Sequence, residues 1–191
     1  MHFKESMTFI KRFAKSPRRI GSVTPSSKFL TDAMLDCIDW ENANYIAELG
    51  AGTGVFTREI VKRAKPDAKI LVFEIDPALR KMIQDEHPEH KGLSLHSDAQ
   101  ELITYMKDSG ITALDYVISS LPFTVLPPRT TVRILDAVVR GLKPEGHLVA
   151  YQYSPLMKHV LTKKFVRVKT SFVMWNIPPA LVYDCCEAKR T

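Results

Sequence analysis

The 191-residue sequence predicts an α/β domain, with a mostly parallel seven-stranded sheet, helices on both faces and an antiparallel strand pair at the C-terminal end. Three observations carry this expectation. Between residues 44 and 153 short apolar runs alternate with segments of helical spacing, an order that yields parallel strands joined by helical crossovers. A glycine-rich turn, Gly50-Ala51-Gly52-Thr53-Gly54, joins the first run to the first helical segment of that series. The last two apolar runs are separated by Asn176-Ile177-Pro178-Pro179 with no long helix between them, which suits antiparallel pairing.

Each element has its own signal. Phe3, Met7, Phe9, Ile10, Phe13 and Ala14 fall within an arc of about 160° at about 100° per residue, with Lys4, Lys11, Arg12 and Lys15 opposite, so residues 3–14 read as an amphipathic helix. Ser16-Pro17 ends it, because a residue preceding proline disfavours the helical region. Gly21 to Pro25 is a second break, after which Ser26-Ser27 can cap a helix running to about Ile38. Tyr45–Leu49 is a short strand feeding the glycine loop, and Val55–Ala64 is helical. Strands follow at Lys69–Ile75, Leu93–His96, Leu114–Ser119 and His147–Tyr153. Between them lie helices at Pro77–Glu86, with proline in the first turn, at Ala99–Lys107 and at Thr130–Leu142. A turn is expected around Lys143-Pro144-Glu145-Gly146, and the closing strands are Phe165–Trp175 and Ala180–Cys186.

Composition narrows the class. With 45% apolar and 25% charged residues, the chain suits one soluble domain spanning 1–191, with residues 1–19 as a basic amphipathic N-terminal segment. No apolar run approaches the roughly 20 residues needed to cross a bilayer. The N-terminus shows no signal-peptide pattern, and a cytoplasmic protein with reduced thiols at Cys37, Cys185 and Cys186 is the expectation. Charge is uneven. Residues 1–19 hold six basic side chains and one acid, net +5; residues 20–157 hold 14 basic and 18 acidic, net −4; residues 158–191 hold seven basic and two acidic, net +5. Basic ends around an acidic middle point to an anionic partner, a membrane surface or a nucleic acid.

Four places carry chemistry, all at the carboxyl ends of predicted strands, where ligands of such sheets sit. The loop Glu48-Leu49-Gly50-Ala51-Gly52-Thr53-Gly54 lets backbone approach a ligand closely, with a helix N-terminus behind it that favours a carboxylate. By itself it also fits a plain tight turn. Glu74 lies 20 residues beyond Gly54, and either it or Asp76 can accept both hydroxyls of a ribose. Asp98, in His96-Ser97-Asp98-Ala99, can take an adenine amino group or cap the next helix, a role Ser97 can share. Ser119-Ser120-Leu121-Pro122-Phe123 follows the fourth strand.

In this order the four motifs resemble those of class I S-adenosylmethionine-dependent methyltransferases, with their Rossmann-like fold, over roughly residues 44–153. The resemblance implies S-adenosyl-L-methionine as cofactor and S-adenosyl-L-homocysteine as product. It places the methionine part on Glu48, Gly50, Gly52, Thr53 and Gly54, the ribose on Glu74, and the adenine beside Ile75, Ser97, Asp98 and Ala99. Ser119, Ser120 and Phe123 fall beside the transferred methyl group. Two branches share this spelling. Ribosomal RNA adenine dimethylases carry an Asn-Leu-Pro-Tyr-type sequence where this chain has Ser120-Leu121-Pro122-Phe123, and they carry a further helical RNA-binding domain. Bacterial phospholipid N-methyltransferases, which convert phosphatidylethanolamine to phosphatidylcholine, resemble nearly the whole chain. That resemblance includes Arg19-Ile20-Gly21-Ser22-Val23-Thr24-Pro25-Ser26-Ser27 and Trp175-Asn176-Ile177-Pro178-Pro179-Ala180.

The N-terminal helix favours the lipid branch on physical grounds. Phe3, Met7, Ile10 and Phe13 opposite Lys4, Lys11, Arg12 and Lys15, followed by Arg18 and Arg19, suit reversible peripheral binding to an anionic membrane, at about 1 kcal/mol per basic residue. The same helix can instead pack on the domain. Lys158, Lys163, Lys164, Arg167 and Lys169, with no acid between Glu145 and Asp184, form a second basic stretch that can meet lipid phosphates or simply face water. An acceptor amine must lose a proton before attack, and Tyr151, Tyr153 and His159 are candidate acceptors, each also explicable as structural. Phe123 can offer a cation–π face to a methylated ammonium. No metal-ligand spacing is present. The expectation is N-methylation of phosphatidylethanolamine and its methylated derivatives at the membrane surface; RNA adenine N6-methylation and non-catalytic cofactor binding at a membrane are the alternatives.

Overall fold

The computed structural model describes residues 28–190. The N-terminal helix expected at 3–14, the basic residues through Arg19 and the Ser26-Ser27 cap lie outside the described residues. Seven strands form one sheet: β1 (Tyr45–Leu49), β2 (Lys69–Phe73), β3 (Leu93–His96), β4 (Leu114–Ser119), β5 (Leu142–Gln152), β6 (Phe165–Val173) and β7 (Ala180–Ala188). Their order is β3-β2-β1-β4-β5-β7-β6. β1 to β5 run parallel, and β7 pairs antiparallel with both β5 and β6. The order reverses between β1 and β4, the switch point at which such sheets open a crevice.

Alternation along the strands sends side chains to two cores. On one face Ile46, Ile70, Val72, Ile118, Val149 and Val182 meet helices α1 (Lys28–Leu35), α2 (Val55–Arg63) and α3 (Pro77–Glu86) through Leu30, Met34, Phe56, Ile60 and Ile83. On the other, Ala47, Leu71, Phe73, Val117, Leu148 and Tyr183 meet α4 (Leu102–Asp108), α5 (Pro128–Gly141) and α6 (Met157–Lys164). The sheet is thus covered on both faces, as the apolar runs require.

The structure departs from expectation in three places. The turn expected around Lys143–Gly146 is part of β5. Leu142 pairs with Leu114 and His147 with Tyr116, so the intervening residues are a bulge beside β4 rather than a separate turn. α6, between β5 and β6, was not expected: its eight residues carry a short apolar pattern, Met157 and Leu161, interrupted by lysines. β2 ends at Phe73 and β6 at Val173, two residues short of the expected Ile75 and Trp175, although the Glu74 amide still donates to the His96 carbonyl of β3 (3.0 Å). All three cysteines are free thiols; Cys37 is exposed, while Cys185 is buried and Cys186 half-buried on opposite faces of β7.

Candidate functional site

The glycine loop leaves β1 at the carboxyl edge of the sheet. Gly50, Gly52 and Gly54 all have positive φ, +82°, +56° and +76°, a region that costs a side-chain-bearing residue energy. The amides of Gly50 and Ala51 both donate to the Phe73 carbonyl, at 2.8 and 3.1 Å, and pin the loop to the end of β2. A Cβ at Gly50 would lie 2.8 Å from Leu121 Cδ2, so the glycine lets the loop after β4 close against it. A Cβ at Gly52 would meet none of the described residues within 4 Å, so among them this glycine faces open space. Gly54 caps α2 without a side chain, leaving the first-turn amides of that helix free of a side-chain cap. On the outer side Arg58 Nη1 donates to the Thr53 carbonyl (3.0 Å) and to Glu86 Oε2 (2.7 Å).

Three carboxylates surround the loop and do different work. Glu74 Oε2 accepts from the Gly52 amide (2.8 Å) and Oε1 from the Asp76 amide (2.9 Å). Asp76 turns away to cap α3, accepting from the amides of Ala78 (2.8 Å) and Leu79 (3.4 Å). Of the two candidate acids, Glu74 therefore faces the glycine loop and Asp76 serves a helix N-terminus. Glu48 is fully buried on β1, with Oε2 accepting from Thr57 Oγ1 of α2 (2.6 Å) and Oε1 without a hydrogen-bond partner among the described residues. Burial pushes its pKa up to about 7, against the lowering effect of the Thr57 hydrogen bond and with a contribution from the nearby charge of Glu74.

After β3, Asp98 caps a 3₁₀ turn, Ala99–Glu101, by accepting from the Gln100 amide (2.9 Å), and the Gln100 side chain holds its carboxylate from 3.2 and 3.3 Å. Its capping role is therefore real. Ala99 is buried, Ile75 half-buried and Ser97 exposed. His96 packs against Phe73 and Tyr105, whose rings also meet edge-on, and burial lowers its pKa.

The loop after β4 is held from both sides. The Ser120 amide donates to the Leu49 carbonyl (2.9 Å), the Leu121 amide to Ser119 Oγ (3.3 Å), and Gln152 Nε2 to the Leu121 carbonyl (2.8 Å). Sequence reading missed Gln152 and Thr57. Their signals are a polar residue ending an apolar strand and a hydroxyl in the first turn behind a glycine loop.

Two expectations change here. Phe123 is 3% exposed and belongs to the core under α5, so its ring offers no open face to a substrate cation. Tyr151 lies at the end of β5 beside the hydroxyls of Ser120 and Tyr153, and burial, then the neighbouring Tyr153, push its pKa far above the ordinary tyrosine range. A phenol so disposed stays neutral and is a poor final proton acceptor. Tyr153 is exposed at the mouth of this group. His159 is exposed on α6, and the Ser120–Tyr151–Tyr153 cluster forms without it.

A family model for the methyltransferase domain matches residues 46–146, which contain all four motifs. The chain belongs to the methyltransferase family. Its relatives include the ornithine lipid N-methyltransferase of Singulisphaera acidiphila, 30% identical over 190 residues, 98% of this chain and 99% of that protein. The ribosomal RNA small subunit methyltransferase A of Clostridium acetobutylicum is 26% identical over 118 residues, 61% of this chain and 40% of its own. Among solved structures, the N-methyltransferase NodS from Bradyrhizobium japonicum, in complex with S-adenosyl-L-homocysteine, has a TM-score of 0.67 at 13% identity, covering 93% of this chain and 97% of that one. TrmN from Thermus thermophilus has a TM-score of 0.66 at 15% identity, covering 92% of this chain and 52% of that one. Those two likenesses show the Rossmann-like fold of class I enzymes. The protein is an S-adenosylmethionine-dependent methyltransferase, and its loop suits that cofactor. Among the described residues nothing lies against Gly52, and none donates to the buried Glu48 Oε1, an acceptor that suits a cationic amino group.

Proposed function

We propose that this methyltransferase N-methylates an amine-bearing membrane lipid, acting on phosphatidylethanolamine and its methylated derivatives towards phosphatidylcholine while peripherally attached to the cytoplasmic membrane surface. The observation that carries the reading is the near full-length match to a protein named for lipid N-methylation. Ornithine and ethanolamine headgroups share an aliphatic amine, so one site chemistry serves either. Among the described residues no helix is long and apolar enough to cross a membrane, and the N-terminal Phe3, Met7, Ile10, Phe13 and their basic neighbours suit attachment to its surface.

Bound cofactor supplies a sulfonium methyl that is already activated, so the protein's task is alignment and proton removal. Glu48 Oε1 would receive the cofactor's amino group, Gly52 would leave room for its methionine part, and the amides opening α2 behind Gly54 would take its carboxylate. Glu74, oriented by the Gly52 and Asp76 amides, would take the ribose hydroxyls, and Ile75, Asp98 and Ala99 would hold the adenine. Leu121 and Gln152 fix the loop that carries Ser120 to the methyl site. The hydroxyls of Ser120 and Tyr151 orient the amine lone pair, and its proton leaves through Tyr151 to the exposed Tyr153 and water.

A second reading, methylation of an RNA adenine, has the rRNA methyltransferase relatives in its favour; Ser120, in place of the asparagine of adenine dimethylases, weighs against it. Methyl-labelled S-adenosylmethionine offered with phosphatidylethanolamine vesicles, ornithine lipid vesicles and ribosomal RNA separates them. Label in the lipid amines is the expected result. Label in RNA alone would overturn the proposal, and label in ornithine lipid alone would reassign the headgroup.

A further inference from the structure

The β6–β7 turn carries an apolar tip that the cofactor site does not use. β5 and β6 both pair antiparallel with β7, so they run in the same direction, and residues 174–179 emerge at the carboxyl edge of the sheet. That is the edge of the glycine loop and of Ser120. Sheet order places the tip two to three strand spacings from β4, about 10–15 Å at the usual separation. Met174 is 63% exposed, Trp175 71% and Ile177 87%. Phe29, at the start of α1 and also exposed, meets the Trp175 ring with centroids 6.4 Å apart.

The shape is held from below. Val173 and Ala180, the last pair under the turn, are buried and close the core beneath it. Asn176 points inward and its amide donates to the Pro178 carbonyl (2.8 Å), which leaves its two neighbours, Trp175 and Ile177, facing outward. An apolar cluster this exposed in a soluble domain marks a contact surface.

We propose that this tip inserts into the lipid surface from which the enzyme takes its acceptor, as a wedge separate from the basic N-terminal segment. Trp175 suits the headgroup level, where an amphipathic ring keeps its N–H in water and its body in hydrocarbon. Lys158, exposed in the first turn of α6 at the same edge, adds positive charge that suits an anionic surface. Insertion there sets the mouth marked by Tyr153 and Leu156, both exposed, against the headgroups. The choice of lipid as partner rests on the proposed function; the exposed tip and its position do not.

Tryptophan fluorescence of the full chain tests this. The sequence has two tryptophans, so Trp40→Phe leaves Trp175 as sole reporter, and the difference between wild type and Trp175→Phe gives the same signal should Trp40→Phe fail to fold. With vesicles of phosphatidylethanolamine and phosphatidylglycerol, Trp175 emission should shift to the blue and be quenched by lipids brominated near the headgroup. Trp175→Ala should weaken vesicle partitioning roughly tenfold while S-adenosylhomocysteine binding is unchanged. Emission that vesicles do not move overturns the inference, as does emission already blue-shifted without vesicles, which would mean that the chain's own residues cover the tip. Methylated lipid with Trp175 still in water would refute the wedge and keep the proposed function; an inserted Trp175 with no methylated lipid would do the reverse.

Discussion

Replacing Gly52 by alanine adds one methyl group where the protein itself has room and where the bound cofactor is proposed to lie. The methyl would meet no atom within 4 Å, so its cost to the ligand-free fold is that of holding alanine at φ +56°. That cost is about 1–2 kcal/mol. For a chain of 191 residues it corresponds to a fall in Tm of roughly 2–8 °C. Binding suffers separately. A methyl forced into a filled site costs about 1–3 kcal/mol, which is a roughly five- to 150-fold weaker Kd for S-adenosylhomocysteine. Calorimetric titration measures the second effect and a thermal melt the first. Gly50→Ala is the contrasting case: its methyl would lie 2.8 Å from Leu121 Cδ2, so it should destabilise the ligand-free protein more. A Gly52→Ala protein that melts slightly early yet binds S-adenosylhomocysteine within about twofold of wild type would refute the placement of the cofactor against Gly52.

Glu48, raised from 4.5 to about 7 by burial, should couple both stability and binding to pH. Because its folded value exceeds its unfolded one, the stability it contributes is complete below 4.5 and is lost as pH rises through about 7, roughly 3 kcal/mol in all. A cationic amino group beside Oε1 favours the carboxylate, so S-adenosylhomocysteine binding should tighten across the same range, and melts and titrations of Glu48→Gln should lose both trends. Asp76→Ala should cost about 1 kcal/mol as a lost helix cap and leave cofactor affinity nearly unchanged, whereas Glu74→Gln sets an amide donor against the Gly52 or Asp76 amide and should weaken affinity at least tenfold. Equal loss from both variants in a binding titration would contradict the division of labour between these acids. Gln152→Leu leaves the Leu121 carbonyl without its donor, and should lower methyl-transfer rate more than cofactor affinity in a steady-state assay.

The sheet and its motifs were legible because their signals are local. Ile46, Val72, Ile118 and Val149 are apolar because both faces of the strands are covered, and glycines at 50, 52 and 54 mark backbone that only glycine adopts cheaply. What escaped depends on pairing across the chain. Glu74 and Asp76 are equivalent in sequence, and only the position of α3 turns one into a cap. Phe123 looks like a substrate contact because it follows the β4 loop, but α5 folds over it and buries the ring. Tyr151 reads as a base until Ser120, Tyr153 and its own burial are placed around it. α6 was invisible because its two buried residues, Met157 and Leu161, lie among lysines with too short a period to register. The exposure of Trp175 and Ile177 was equally hidden, since an apolar residue in a turn looks the same whether covered or bare.

In the proposed function the methyl group goes to a lipid amine from a cofactor held at Gly52 and Glu74. Mass spectrometry of phosphatidylethanolamine vesicles incubated with the purified protein and S-adenosylmethionine tests it most directly, with Gly52→Ala run in parallel. Mono- and further methylated headgroups are expected from the wild type, formed together with S-adenosylhomocysteine, and far less from the variant. Unmodified lipid from a wild-type protein that binds S-adenosylmethionine normally, or equal methylation by the variant, would contradict it.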